Sequence, residues 1–210
     1  MKSHRSRHAG SRRASGKPRQ PGRLRIIGGA YRRRLLPVLD HPGLRPTPDR
    51  VRETLYNWLT DALYGARVLD LYAGTGALGL EALSRGAREA WFVEREPRVA
   101  LALRDNLATL GAKGQVITAD AARFLGNRES PDKLPLFDLV LLDPPFHQGL
   151  AADACRTLED RSWLAQDAWI YVETERELDL CVPATWRLHR EVSAGDSRGL
   201  LFHRQVAASS

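Results

Sequence analysis

The chain has 210 residues, 43% hydrophobic and 27% charged, with a formal net charge of +7. That is enough for one α/β domain with a sizeable core and an appendage. No run of about 18 apolar residues occurs, which excludes a membrane-spanning helix, and the two cysteines, Cys155 and Cys181, have no metal-ligand spacing and fit a reducing compartment.

Residues 1–34 hold 12 of the 32 basic residues and no Asp or Glu, so the other 176 carry 20 basic and 25 acidic groups, a net −5. A basic arm on a mildly acidic body points to contact with a polyanion. Residues 1–22, rich in Ser, Gly, Pro and Arg, read as a disordered basic tail. They lack the apolar stretch of a secretory signal, so a cytoplasmic protein is expected. Residues 23–46 read as a small basic hairpin and loop. Leu24 and Ile26 alternate with Arg23, Arg25 and Ile27, Gly28-Gly29 signals the turn, and Tyr31 to Leu36 returns as the second strand. Pro42, Pro46 and Pro48 then hold the chain extended.

From residue 47 to 210 the pattern is that of one α/β domain. Thr47 or Asp49 is suited to cap a helix running to about Tyr64, with Val51, Leu55, Trp58 and Leu59 on one face. Strands are predicted at Arg67–Tyr72, Ala90–Val93, Gln115–Thr118, Phe137–Leu142 and Ala168–Glu173. Helices alternate with them at Ala77–Arg85, Pro97–Leu110, Ala121–Leu125 and Leu150–Asp160, the second opened by a proline and stopped by Gly111. Trp186–Val192 and Leu200–Val206 alternate around Gly195 and read as an antiparallel pair. Such alternation predicts a doubly wound, mostly parallel sheet with an antiparallel C-terminal edge. In these sheets the ligand lies beyond the carboxyl ends of the strands.

After the first of these strands comes Asp70-Leu-Tyr-Ala73-Gly74-Thr75-Gly76-Ala-Leu-Gly79, whose small residues let the backbone approach a ligand. Glu94 follows 20 residues after Gly74, with Arg95 beside it, where a carboxylate can bind ribose hydroxyls. These features alone also suit an NAD(P) dehydrogenase. Two details favour S-adenosylmethionine. Asp70 is a poor neighbour for a pyrophosphate but a good one for an ammonium and a sulfonium. Asp120, followed by Ala121, stands where a carboxylate can accept from an adenine amino group; its other reading is a helix N-cap.

The strongest chemical signal is Asp143-Pro144-Pro145-Phe146 after the strand ending at Leu142. The nitrogen of an exocyclic base amine is a weak nucleophile because its lone pair is delocalised into the ring. Its site needs acceptors for both N–H bonds, and the Asp143 carboxylate with the Pro144 carbonyl would serve. Consecutive prolines stiffen the loop and remove competing donors. Phe146 offers a face for an extruded base. His147 reads as a loop residue rather than a base. Because the methyl donor is already activated, no metal is expected. Arg23, Arg25, Arg32, Arg33 and Arg34 on the hairpin and the cluster Arg45, Arg50 and Arg52 are the candidate RNA contacts.

On Arg25-Ile-Ile-Gly-Gly29, Leu44–Leu55 with Asn57-Trp58-Leu59, Leu69–Ser84 and Asp143–Phe146, the chain resembles the bacterial 16S ribosomal RNA guanine-N2 methyltransferases of the RsmD type. Trp163-Leu164, Ile170–Glu173 and Trp186–Arg190 look similar too, and the resemblance spans roughly residues 23–206. It implies a Rossmann-like class I methyltransferase fold with a seven-stranded sheet over 47–210. It also implies S-adenosyl-L-methionine as cofactor and guanine N2 of small-subunit ribosomal RNA as target, within an assembled or assembling 30S particle. Gly74, Gly76, Glu94, Asp120 and Asp143 would line the sites, and a monomer is expected. The tail before Arg23 is longer than the family's usual start. Rival readings are a DNA adenine or protein glutamine N-methyltransferase, which share a similar Pro-Pro motif, and a non-catalytic RNA-binding or assembly factor.

Overall fold

The computed structural model describes residues 22–44, 46–127 and 134–205. Two short strands, β1 (Arg23–Arg25) and β2 (Leu35–Pro37), pair antiparallel as a separate ribbon, and helix α1 (Asp49–Trp58) follows. Then β3 (Arg67–Asp70), α2 (Ala77–Ser84), β4 (Glu89–Glu94), α3 (Pro97–Leu110), β5 (Gly114–Thr118), α4 (Ala121–Gly126), β6 (Phe137–Leu142), α5 (Leu150–Asp160) and β7 (Leu164–Glu175) alternate. The last two strands are β8 (Trp186–Ala194) and β9 (Ser197–Arg204). The main sheet has seven strands in the order β5-β4-β3-β6-β7-β9-β8. The first five run parallel, and β9 lies antiparallel between β7 and β8. The order reverses between β3 and β6, the switch point at which such sheets open a crevice.

Strand alternation sends side chains to two cores. Val68, Phe92, Leu139, Leu141, Tyr171 and Leu201 pack under α1, α2 and α3. Leu69, Val140, Leu142, Ile170 and Val172 pack over α4 and α5. The ribbon joins the first core through Leu24, Ile26, Leu36 and Val38, which are all buried there.

Most predicted elements stand within two residues of the expectation, and four differ. The second ribbon strand is Leu35–Pro37 rather than Tyr31–Leu36, because Gly28-Gly29 is not a two-residue hairpin turn. It is a docking site: a Cβ on Gly29 would lie 1.8 Å from the Ser84 carbonyl oxygen, and the Ala30 amide donates to that same oxygen at 2.6 Å. Helix α1 stops at Trp58 instead of Tyr64, with the Thr60 hydroxyl donating to the carbonyls of Tyr56 and Asn57 at 3.3 and 3.1 Å. Its N-cap is Pro48 without a side-chain cap, because the Asp49 carboxylate is taken by Arg25 and Arg52. Strand β7 is longer than Ala168–Glu173, extended by a register shift opposite Phe137 and Leu139. Strand β9 begins at Ser197 rather than Leu200; the expected end, Val206, lies outside the described residues.

Candidate active site

The loop after β3 leaves the sheet at Asp70, although the Leu71 amide still reaches the Leu141 carbonyl at 3.0 Å. Gly74 and Gly76 both adopt positive φ, 50° and 75°, where glycine is favoured. Gly76 caps α2 in that conformation, and a Cβ there would meet Leu103 at 2.4 Å. The turn is pinned on its outer side by Glu94, whose two carboxylate oxygens accept the amides of Gly74 at 2.9 Å and Glu96 at 2.7 Å. Ala73 and Thr75 are buried in the turn, whereas Arg95 is exposed. Asp120 caps α4, its Oδ1 accepting from the Arg123 amide at 3.1 Å; with Ala121 it marks the end of β5. Leu44, arriving from the ribbon, stands against Gly74 over a small pocket that Val38, Thr75 and Asn106 also line.

Asp70 is buried and accepts from the Gly79 amide at 2.9 Å. Burial, and then the charge of Glu94, push its carboxyl up to about 7 against the pull of that hydrogen bond. Leu141 pairs with both Asp70 and Tyr171, so these three share one face of the sheet. Asp143 and Glu173 lie two residues further along from Leu141 and Tyr171. Asp143 is pushed up to about 8, first by burial and then by the charges of Glu173 and Asp70. The carboxyl ends of β3, β6 and β7 thus bring the carboxyls of Asp70, Asp143 and Glu173 within electrostatic reach of one another. Among the described residues no Lys or Arg forms an ion pair with Asp70, Glu94, Asp120, Asp143 or Glu173. A donor set of this kind fits a ligand that carries ammonium and sulfonium charge and opposes a pyrophosphate. S-adenosylmethionine therefore fits the residues present.

The Asp143–Phe146 loop follows β6 at the switch point. Pro144 is buried, Pro145 exposed and Phe146 half-buried, its ring edge-on to His147 with centroids 6.4 Å apart. His147 takes a positive φ of 61°, uncommon for a non-glycine residue. That bend is held by Glu175, whose carboxylate accepts the His147 amide and is kept below the usual range chiefly by that bond. His147 itself is 86% exposed, in keeping with a loop role.

The structure corrects one predicted RNA contact. Arg52 is fully buried and cannot meet a phosphate. Its guanidinium donates to Glu81 at 3.3 Å, Asp49 at 2.6 Å, the Thr47 carbonyl at 3.1 Å and the Arg25 carbonyl at 3.0 Å. Arg23, Arg25, Arg32, Arg33, Arg34 and Arg50 are exposed, Arg25 while paired to Asp49 at 2.7 Å. Arg45 and the tail 1–21 lie outside the described residues. Glu173 and Glu175, unassigned from sequence, are brought to the site. Their signal was available only as two acids of like parity at the end of a buried strand.

Residues 24–203 match a family model described as "Conserved hypothetical protein 95". The chain is 49% identical over 191 residues to the ribosomal RNA small subunit methyltransferase D of Escherichia coli, covering 90% of this chain and 94% of that protein. It is 45% identical to the protein of the same name from Haemophilus influenzae, covering 85% and 92%. The solved structure of the Escherichia coli protein yhhF superposes with a TM-score of 0.79 at 48% identity, over 89% of this chain and all of that one.

Proposed function

The chain belongs to the family described as conserved hypothetical protein 95, as a methyltransferase, and from that premise we propose its reaction: transfer of the methyl group of S-adenosylmethionine to the exocyclic N2 amine of a guanine in small-subunit (16S) ribosomal RNA. The observation that carries this reading is the convergence of Asp143, on its double-proline loop, with Asp70 beside the glycine turn at the switch point. On this reading the donor and acceptor sites lie side by side at the carboxyl ends of β3 and β6.

S-adenosylmethionine, when bound, supplies an activated methyl on a positively charged sulfur. The residues that would hold it are the turn Ala73–Gly76, Asp70 beneath its charged end, Glu94 for the ribose hydroxyls, and Asp120 with Ala121 for the adenine. Glu94 has both oxygens already oriented by backbone amides, which fixes its remaining lone pairs without further ordering. Asp143 and the Pro144 carbonyl accept the two N–H bonds of the target amine and aim its lone pair. Phe146 stacks on the guanine, and Pro145 keeps the loop stiff. Positioning and electrostatics supply most of the acceleration. The exposed arginines of the ribbon, Arg23, Arg25 and Arg32 to Arg34, with Arg50 of α1, meet phosphates, and the substrate is a 30S particle or its precursor.

The test is methyl transfer by the purified protein to small subunits and to naked 16S RNA from cells lacking it, read by nucleoside mass spectrometry. N2-methylguanosine is the expected product. Methylated adenine in DNA, methylated glutamine in protein, or RNA binding without transfer would each replace this reading with another. Asp143→Ala should abolish transfer and leave cofactor binding in place. Turnover near wild type would remove Asp143 from the mechanism.

A further inference from the structure

Glu173 is a buried carboxyl that neither the cofactor nor the amine contacts described above account for. It is only 7% exposed. The other buried glutamate, Glu81, is matched by Arg52 and Arg85 at 3.3 and 2.8 Å, whereas Glu173 forms no ion pair among the described residues. A carboxylate held away from water without a cation is costly, so its retention calls for a role. Its surroundings are built to hold it. The Tyr171 hydroxyl donates to its Oε2 at 3.4 Å. Gly199 stands opposite Glu173 across the β7–β9 pair, and a Cβ there would lie 2.2 Å from that same hydroxyl. The bare backbone at Gly199 therefore lets Tyr171 lean toward the carboxyl end of β7, where Glu173 sits. Leu142, the last residue of β6, pairs with Val172 of β7, so Asp143 and Glu173 each follow the last paired residues of these neighbouring strands.

We propose that Glu173 is a positioning residue for methyl transfer: a second carboxylate, one strand over, that keeps Asp143 basic enough to take the proton of the alkylated amine. This rests on the reading of the site as an amine methyltransferase. The amine nitrogen bonds to the methyl carbon as the carbon–sulfur bond breaks, and the electron pair of that bond stays on sulfur. The nitrogen, now cationic, gives one of its two protons to a carboxylate oxygen of Asp143, which passes it to water. An ordinary aspartate is a weak base for this step. Burial and the charges of Glu173 and Asp70 make Asp143 a stronger one. Glu173 is itself pushed up by burial, offset in part by the hydroxyls of Ser197 and Tyr171. The groups facing the pair are Asp70 from β3, Tyr171 from β7 and Ser197 from β9, with Tyr56 of α1 behind Asp70 and Tyr171. None of these is a cation; Arg52 and Arg85 are committed to Glu81, and Arg198, which pairs with Thr174 on the next register position of β9, donates to the Leu178 carbonyl.

The experiment is a carboxyl titration of the full-length protein by ¹³C NMR, without RNA or cofactor, with the Asp143 signal assigned through D143N. E173Q should lower the Asp143 midpoint by about one unit or more. E173D keeps the charge and should keep the midpoint high. In transfer assays the acidic limb of the kcat/KM profile should move down in E173Q by the same amount. An Asp143 midpoint unchanged in E173Q overturns the proposal. So does an equal fall in E173Q and E173D, which would assign the effect to packing. A wild-type protein that methylates no RNA would defeat the proposed function, while the titration would still decide whether Glu173 sets the basicity of Asp143.

Discussion

Gly79 is the point at which the Asp70 carboxyl meets the backbone of α2. The amide there donates to Asp70, and a Cβ would stand 2.3 Å from the Phe92 ring and 3.0 Å from the carboxylate itself. The folded chain thus holds Asp70 with one hydrogen bond and little water, which is why its proton is retained to about pH 7. A carboxyl raised in this way favours the folded state fully below its unfolded value near 4, and that contribution is lost as pH rises through about 7. Asp143 has the same sign, with its loss completed near pH 8. The melting temperature of the free protein should therefore carry a decline between pH 4 and 8 from these two groups. Asp70→Asn, whose amide oxygen can still accept from Gly79, should flatten the Asp70 share, on the order of 4 kcal/mol at its upper limit. A cationic cofactor reverses the preference, because it binds best to ionised carboxylates. Its affinity should rise about tenfold per pH unit below pH 7 and then level off, with protons released on binding. Calorimetry in two buffers of different ionisation enthalpy measures that release. A proton-neutral binding at pH 6.5 would contradict the electrostatics assigned to Asp70.

Helix α2 begins at the glycine turn and ends under the ribbon, and Glu81 in its middle ties the two together. Its carboxylate accepts from the amides of Ile27 at 2.9 Å and Gly28 at 2.8 Å, and from Arg52 and Arg85. The ribbon is therefore fixed to the helix that carries the cofactor turn. Removing one partner of a buried pair leaves the other uncompensated, so Arg52→Ala should cost about 3–5 kcal/mol. The double variant Arg52→Met with Glu81→Gln should cost less than the sum of its single changes. Chemical denaturation measures both, and a loss below about 1 kcal/mol for Arg52→Ala would show that the pair is not load-sharing. At this scale the reach of sequence reading becomes clear. Helix α3 was legible to the residue, because Pro97 and Gly111 mark its ends with local backbone chemistry. Strand β6 was legible as a run apolar at every position but Asp138. The ribbon was legible as an antiparallel pair but not in its turn, since Gly28-Gly29 has the composition of a turn but is there to admit Ser84 from a helix more than 50 residues on. Arg52 misled for the same reason: its nearest sequence neighbours suggest an exposed basic cluster, and the acid that buries it is Glu81. Asp143 could be found because it carries its own prolines, whereas Glu173 gains its meaning only from the register of β6 with β7.

In the whole molecule the positive charge sits at one end of the chain and the buried carboxyls Asp70, Asp143 and Glu173 in a net-negative body. The fold determines whether those two facts are related. The described chain starts at Gly22, whose carbonyl accepts the Val38 amide at 2.9 Å, and Val38 lines the same small pocket as Leu44, Gly74 and Thr75. The described chain thus begins near the glycine turn. Residues 1–22 hold seven Lys and Arg, and Arg23 to Arg34 five more on the exposed ribbon. The five charges of the ribbon are exposed and attract a polyanion that the buried carboxylates would repel. Each phosphate contact adds about 0.7–0.9 to the slope of log affinity against log salt. Deleting residues 1–22 should therefore weaken binding to small-subunit RNA at low salt and flatten that slope by up to about six, while leaving cofactor affinity unchanged. Charge reversal of Arg32 to Arg34 should act in the same direction with a smaller change. A slope that stays the same after the deletion would place RNA attraction wholly on the ribbon and α1. The acidic site would then have to be reached through the exposed arginines of the folded body alone.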